Sequence, residues 1–214
     1  MAVITISRQI GSNGEEIARE TAEQLHYRYV DKDLIQSIMK EYGVVEFKEV
    51  YDGGMGFWDR YYHSAEEIVQ LLNEIILSVA RMGNVVIVGR GSFVCLQAYE
   101  DVIHVMIHAP LEYRLRNVMQ ERDFSDRAEA EHFLKRQYHI RKTFIEHNYR
   151  VKWDTIQNFD LLFNTAKITP EEACRCLQQA ALTLDEKIAT AEDANTTDRI
   201  QTEKILQETV ERML

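Results

Sequence analysis

Five short apolar runs, separated by stretches with helical periodicity, constrain the fold of this chain more than any other feature. The runs comprise residues 3–6, 27–31, 85–88, 102–107 and 160–164. Apolar, β-branched runs of this length are typical of strands that are buried on both faces of a sheet. Because amphipathic helical patterns lie between them, the order predicts βαβ crossovers and an α/β domain with a mostly parallel sheet.

Length and composition fit a folded domain. The chain has 214 residues, of which 45% are hydrophobic and 28% charged, and this argues against low complexity or general disorder. No uncharged apolar run approaches the roughly 18 residues that cross a bilayer, and the N-terminus lacks a signal-peptide pattern. The net charge of −10 disfavours nucleic acid as a partner. We therefore expect a cytoplasmic protein without a nucleic-acid or membrane partner.

The turn after the first run is the first candidate binding site. Parallel sheets bind ligands beyond the carboxyl ends of their strands. A strand, a glycine-containing turn and a helix also leave backbone N–H groups free to bind an anion. The candidate phosphate-binding residues in this turn are Gly11, Ser12, Asn13, Gly14 and Glu15.

This turn departs from the usual phosphate-loop pattern of glycine, four residues, glycine, lysine and a hydroxyl residue. Alignment on the following helix puts Arg8 at the first glycine, Gly14 at the lysine and Glu15 at the hydroxyl. Gly14 cannot bridge phosphates, but Arg8 could supply a guanidinium from the other side of the loop. Glu15 and Glu16 would repel a phosphate unless one of them holds a metal ion. The alternative is a tight turn that binds nothing.

Three other regions stand out by composition. Residues 40–66 hold four of the nine glycines together with several aromatic residues, which indicates an insert. Residues 114–152 carry ten Lys and Arg against six Asp and Glu, a basic segment that suits a compact anionic ligand. Residues 183–214 have a net charge of −4, with a small, polar linker followed by a helical pattern over 200–214. That last helix is either solvated or a surface for self-association into a homo-oligomer.

As an ordered set, five blocks of the sequence resemble the cytidylate kinase-like family, a branch of the P-loop nucleoside monophosphate kinases. The blocks are ITISRQIGSNG (4–14), YVDKDLI (29–35), VIVGRG (86–91), HAPLEYR (108–114) and FDLLFNT (159–165). No single block is specific, but the match covers roughly residues 3–180. The resemblance implies a three-layer P-loop kinase fold with a five-stranded parallel sheet, extended by a C-terminal helix.

The resemblance also implies a division of the chain. The kinase-like domain would span 1–182, with an acceptor-binding insert at about 40–66 and a basic lid at about 133–153. Residues 183–214 would form an acidic linker and a C-terminal helix. Because they lie beyond the last block, we expect the domain to fold without them.

Individual residues acquire roles from the same resemblance. Arg90 matches an arginine that grips the acceptor phosphate, whereas Gly91 stands where cytidylate kinases have an aspartate that reads cytosine. Asp31 matches an aspartate at the entrance of the insert, where it could orient the acceptor. Arg136 and Arg141 keep the spacing of lid arginines that clamp the transferring phosphate. The alternatives are a structural ion pair for Arg90, a helix cap for Asp31 and a solvated helix face for the lid arginines.

Together these features predict a kinase that moves the γ-phosphoryl group of ATP, with Mg²⁺, to a small phosphorylated acceptor such as a nucleoside monophosphate. Arg8, Arg136 and Arg141 would be catalytic, Asp31 and Arg90 would bind the acceptor, and the metal ligands stay unassigned. Two alternatives remain open at this point. One is a catalytically degenerate regulatory protein that binds a nucleotide or another anion, and the other is a kinase for a non-nucleotide acceptor.

Overall fold

The computed structural model describes residues 2–44 and 62–214, and it is built on one parallel sheet. Within these residues the sheet has five strands in the order β2-β3-β1-β4-β5, and every neighbouring pair is parallel. The strands are β1 (Val3–Arg8), β2 (Arg28–Val30), β3 (Val85–Val88), β4 (Val102–His108) and β5 (Leu161–Asn164). The predicted parallel sheet is therefore confirmed.

Helices cover both faces of this sheet. Their bounds are α1 (Gly14–Leu25), α2 (Lys32–Glu41), α3 (Tyr62–Arg81), α4 (Ser92–Cys95), α5 (Leu111–Glu121), α6 (Arg127–Tyr149), α7 (Pro170–Ala189) and α8 (Lys204–Met213). An apolar cluster under α1 and α7 contains Ile4, Ile17 and Leu177. A second cluster on the opposite face joins α2, α3 and the end of α6. Helix, sheet and helix thus form the three expected layers.

The register of the sheet brings three connecting segments to one edge. Residues 3–7 of β1 are all buried, and β1 pairs with β3 on one side and β4 on the other. Ile6 is aligned with Val88, and Arg8 with Ile107. Because parallel strands in this register end together, the segments that follow β1, β3 and β4 emerge side by side. Burial of each isoleucine of β1 stabilises the folded domain by about 1.5–3 kcal/mol.

Of two expected segments, the structure describes the lid and little of the insert. Most of the expected insert, residues 45–61, lies outside the described residues. The expected lid at 133–153 is the larger part of α6 and the turn after it, and it packs into the core through Phe144, Ile145 and Trp153. No helix in the described ranges is long and apolar enough to cross a membrane.

The C-terminal segment is packed against the domain. Helix α7 continues to Ala189, so the boundary expected after residue 182 falls inside a helix. Ile200, Leu206 and Val210 are at most 6% exposed and join the core cluster formed by α2 and α3. The apolar face of α8 is therefore covered by its own chain rather than solvated, and self-association into a homo-oligomer stays a prediction.

A buried carboxylate holds the turn between α7 and α8 in place. Asp101, which is 3% exposed, precedes β4. Its side chain accepts hydrogen bonds from the backbone N–H of Thr197 at 2.9 Å and from the Thr197 hydroxyl at 2.6 Å. The segment between α7 and α8 is thus tied at Thr197 to the start of β4 by charge-assisted hydrogen bonds.

The packing of α8 predicts that its apolar face contributes to the stability of the whole domain. Leu206→Ala removes a side chain that is 1% exposed, and we expect it to lower the free energy of unfolding by about 2–5 kcal/mol. Ile205→Ala is the matched control, because Ile205 is 63% exposed and should cost less than about 0.5 kcal/mol. Urea denaturation of both variants checks this, and equal midpoints for Leu206→Ala and the parent chain would contradict it.

Buried His104 predicts a loss of stability on acidification. His104 Nδ1 lies 2.8 Å from Thr5 Oγ1 in the sheet. Burial lowers the pKa of His104, although the carboxylate of Asp160 and a backbone hydrogen bond act in the opposite direction. The unfolded chain takes up this proton near a pH of about 6.5 and the folded chain only at lower pH. Stability should therefore fall as the pH drops below that value.

The measurement is the free energy of unfolding between pH 7 and pH 5. His104→Gln should flatten its decline with acidification, whereas His132→Gln, at an exposed position on α6, should leave the decline unchanged. Parallel pH profiles for the two variants would show that His104 is not responsible.

Candidate functional site

Three arginines meet at the carboxyl edge of the sheet. Arg8 ends β1, Arg90 follows β3, and Arg141 lies on α6. They line one cavity of about 20 Å³, here called the arginine cavity, whose other lining residues are Ser7, Gly89, Gly91, Phe93, Ile145 and Trp153. Arg141 Nη1 donates to the backbone carbonyl of Arg8 at 3.1 Å. The cavity has room for roughly one water molecule, and its charged walls suit an anion.

The side chain of Arg8 passes between two glycines. A Cβ atom on Gly14 would lie 2.5 Å from Arg8 Cβ and 2.9 Å from Arg8 Cγ. A Cβ atom on Gly89 would lie 2.5 Å from Arg8 Nη1. Neither position can carry a side chain while Arg8 stays where it is. The glycine at 14 is thus explained physically, since the side chain of Arg8 fills the space that a lysine there would enter.

Arg8 is paired with a carboxylate at the start of α1. Arg8 Nη2 donates to Glu15 Oε1 at 2.7 Å; the Arg8 side chain is 11% exposed and that of Glu15 is 60% exposed. Burial raises the pKa of Glu15, but the charge and hydrogen bond of Arg8 outweigh it, with help from Arg141 and Lys32, so the pKa lies below its ordinary value. Glu15 is therefore an anion at neutral pH.

One hydrogen-bond donor of Arg8 has no partner in the described part of the chain. This donor is the Nε atom, which is buried. A buried donor without a partner is costly unless something else satisfies it. Arg8 therefore has hydrogen-bonding capacity available for a ligand.

Hydrogen bonds from α5 hold the loop between β1 and α1. Asn117 Nδ2 donates to the carbonyl of Gly11 at 2.9 Å and to Asn13 Oδ1 at 2.6 Å. The Ser12 hydroxyl turns inward and donates to the carbonyl of Gln9 at 2.7 Å. Asn13 adopts a left-handed conformation and precedes the first turn of α1, whose N–H groups have no intrahelical partner. Of the five residues predicted from this loop, Gly11, Asn13, Gly14 and Glu15 line one pocket. Ser12 is buried, its backbone N–H donates to the carbonyl of Gln9 at 3.3 Å, and it does not line the pocket.

This pocket is open and has mixed charge. It has a volume of about 250 Å³ and extends from Arg8 across the loop to the end of α5. Glu121 and Arg122 form its far wall. The volume is below that of most drug-sized ligand pockets, and it would take the phosphate portion of a nucleotide.

The turn after β3 has a strained backbone. Gly89, Arg90 and Gly91 have φ values of 75°, 58° and 79°, and for a non-glycine residue such as Arg90 the left-handed region costs about 1–2 kcal/mol. A Cβ atom on Gly91 would lie 2.7 Å from the ring of Tyr149. Tyr149 in turn donates its hydroxyl to Asn73 Oδ1 at 2.7 Å. Tyr149 therefore fills the space that a side chain at 91 would need.

Two predicted site residues lie apart from the arginine cavity. Asp31 Oδ1 accepts from the backbone N–H groups of Asp33 at 2.9 Å and Leu34 at 3.1 Å, so it caps α2. Arg136 is exposed on α6 and does not line the cavity. It sits five residues before Arg141, about 140° around the helix. The structure brings together Arg8, Arg90 and Arg141 and leaves Arg136 on another face.

Sequence reasoning missed Asn117, Tyr149 and Asn73. Asn117 bonds to a residue 106 positions away, and Tyr149 to one 76 positions away. Asn117 and Tyr149 belong to no recognisable local motif, because each makes its contact only after helices distant in sequence have packed together. The one available signal was Gly91, whose missing side chain makes room for the tyrosine.

The packing of Arg8 on Gly14 predicts energetic coupling between the two positions. Gly14→Ala alone should push Arg8 aside and lower the free energy of unfolding by about 1–3 kcal/mol. In the background of Arg8→Gly the obstructing atoms are gone, so the same change should be neutral or stabilising by up to about 1 kcal/mol of helix propensity. A double-mutant cycle by urea denaturation measures this coupling, and an equal cost in both backgrounds would contradict the packing.

Comparison with known proteins shows the family of this chain. The sequence model of the cytidylate kinase-like family matches residues 3–167. A cytidylate kinase from Pyrobaculum calidifontis is 26% identical over 178 residues, which are 82% of this chain and 90% of the relative. One from Ignicoccus hospitalis is 28% identical over 185 residues, which are 85% of this chain and 100% of the relative.

Solved structures share the fold. An uncharacterized protein from Eubacterium ventriosum has a TM-score of 0.69 at 19% identity, covering 86% of this chain and 99% of the other. Shikimate kinase from Bacteroides thetaiotaomicron has a TM-score of 0.52 at 12% identity, covering 84% of this chain and 97% of the other. The fold is therefore the P-loop kinase fold, and the curated relatives support a nucleotide-binding kinase, which is a transferase. The chain belongs to the cytidylate kinase-like family.

Proposed function

We propose that this protein transfers the γ-phosphoryl group of a nucleoside triphosphate to a small phosphorylated acceptor, which by family membership is a nucleoside monophosphate. The arginine cavity carries the proposal, because it joins the phosphate loop, the turn after β3 and α6 around one cationic space. Phosphoryl transfer depends on positioning and on stabilising developing negative charge, and it needs no nucleophilic side chain. The attacking oxygen comes from the acceptor phosphate, and the nucleoside diphosphate leaves.

Arg8 is the residue we assign to the donor phosphates. Its Cβ and Cγ atoms pack on Gly14, where a phosphate loop of the usual pattern has a lysine, and its guanidinium reaches Gly89. The buried Nε of Arg8 has no partner among the described residues. A guanidinium offers several donors in a planar fork that matches phosphate oxygens. Arg8 can therefore offset charge on the transferring group from the opposite side of the loop.

Arg90 and Arg141 are assigned to the acceptor side and the reacting group. Arg90 follows β3 and reaches the cavity from a strained turn, which is the kind of backbone that functional sites retain. Arg141 is anchored to the carbonyl of Arg8, so it can respond to occupancy of the donor site. The role of Arg136 in the lid and the role of Asp31 in binding the acceptor remain predictions that rest on the family resemblance.

Mg²⁺ is the metal that this family implies, and the loop has one residue that fits it. No group of three or more His, Cys, Asp or Glu side chains that could hold a metal occurs in residues 2–44 and 62–214. Mg²⁺ is usually bound through one or two carboxylates, water and substrate phosphates, and Glu15 is an ionised carboxylate at the phosphate loop. Bound there, the metal would neutralise charge on the phosphate groups.

A non-catalytic binding protein is the second candidate. It is favoured by the ion pair between Arg8 and Glu15, which places a carboxylate against the guanidinium assigned to phosphate. A kinase for a non-nucleotide acceptor is the third candidate. It is favoured by Tyr149, which fills the space beside Gly91, where the family resemblance puts a base-reading aspartate.

The test is a panel that combines ATP or GTP, with Mg²⁺, and each of CMP, dCMP, UMP, AMP and GMP. Acceptor-dependent release of ADP or GDP supports the proposal and identifies the acceptor. Thermal stabilisation by nucleotide without turnover would favour the binding protein. Turnover only with other phosphorylated small molecules would favour the third candidate.

Variants of the three arginines test the assigned roles. We expect Arg8→Ala, Arg90→Ala and Arg141→Ala each to lower kcat/KM by about 10²-fold or more, the scale found on removing one donor to a developing charge. Arg8→Ala should weaken donor binding, and Arg90→Ala should raise KM for the acceptor. Arg127→Ala is the control, because Arg127 is exposed and paired with Glu112 away from the cavity. Unchanged turnover in Arg8→Ala and Arg90→Ala would refute the assignment.

A further inference from the structure

The carboxylate of Glu15 occupies a position on Arg8 that a phosphate oxygen would otherwise take. Arg8 Nη2 and Glu15 Oε1 are 2.7 Å apart, the distance of a charge-assisted hydrogen bond. Glu15 lies in the first turn of α1, directly after Gly14. A triphosphate bound to Arg8 in this loop would have to lie next to, or replace, a carboxylate of the same charge.

The two halves of this ion pair differ in their freedom to move. The Arg8 side chain is 11% exposed and is enclosed by Gly14 and Gly89, whereas the Glu15 side chain is 60% exposed. In the described ranges, Glu15 is the side chain that accepts a hydrogen bond from Arg8, and Nε of the same guanidinium has no partner. Of the two side chains, Glu15 is therefore the one with room to move.

We propose that Glu15 exchanges partners during binding: it leaves Arg8 when a triphosphate enters and becomes a ligand of the Mg²⁺ that accompanies the phosphates. This inference rests on the proposed function. Glu15 then has two opposite effects, because it competes with a metal-free triphosphate for Arg8 and favours a metal-bound one. Its charge is offset by a cation in both states, as a carboxylate near phosphates requires.

Glu16 provides a matched comparison within the same helical turn. It has the same charge and is similarly exposed. Its carboxylate, however, accepts from Asn13 Nδ2 at 2.9 Å, and among the described residues it forms no hydrogen bond or ion pair with Arg8. A general effect of negative charge at the start of α1 would appear in both positions, whereas partner exchange would appear only at Glu15.

The experiment measures the Kd of ATP by calorimetry, in EDTA and in excess Mg²⁺, for the parent chain, Glu15→Gln and Glu16→Gln. Glu15→Gln should bind metal-free ATP about tenfold more tightly, equivalent to about 1.4 kcal/mol. The gain in affinity on adding Mg²⁺ should shrink to about twofold or less. Glu16→Gln should keep the parent ratio of the two Kd values. Thermal melting of the three proteins confirms that all are folded.

The other outcomes overturn the inference. Equal behaviour of Glu15→Gln and Glu16→Gln would mean that only overall charge matters. Weaker binding by Glu15→Gln in both conditions would mean that Glu15 merely supports Arg8. Tighter metal-free binding with an unchanged Mg²⁺ effect would remove the metal-binding role. If the parent chain binds neither ATP nor GTP in either condition, the proposed function fails as well, and this result is distinct from the other three.

Discussion

The position of one side chain determines the chemistry of this phosphate loop. Arg8 leaves the end of the central strand, crosses Gly14 and extends over Gly89, and either glycine would collide with it if it carried a Cβ atom. The guanidinium is therefore fixed between the loop and the turn after β3. We propose that Arg8 in this way supplies the cation that the loop lacks without its lysine. In the structure, the carboxylate of Glu15 is paired with that cation.

The rest of the molecule supports this placement. The sheet register brings the ends of β1, β3 and β4 together, and α5 fixes the loop through Asn117. Helix α6 contributes Arg141, and its buried residues Phe144 and Ile145 anchor the helix in the core beside the site. The tail helix α8 packs on α2 and α3, the helices that flank residues 45–61, so the C-terminal segment and the site share one core.

Much of the fold could be predicted from the sequence because buried parallel strands are apolar along their whole length. The alternation of such runs with helical patterns determined both the strands and the sheet type. The sequence also showed that Gly14 stands where the usual phosphate-loop pattern has a lysine, with Arg8 nearby. The sequence did not show that Tyr149 packs on Gly91 or that Leu206 packs on the core, because both contacts join segments far apart in the chain. The role of Arg136 stays a prediction: its spacing from Arg141 matches a motif, and the continuous helix places the two residues on different sides.

A crystal structure of the protein with Mg²⁺ and a non-hydrolysable nucleoside triphosphate would test the central claim most directly. The account predicts β- and γ-phosphate oxygens within about 3.2 Å of the Arg8 guanidinium, with Arg8 still lying between Gly14 and Gly89. Phosphates bound elsewhere, with the hydrogen bond between Arg8 and Glu15 intact, would contradict it.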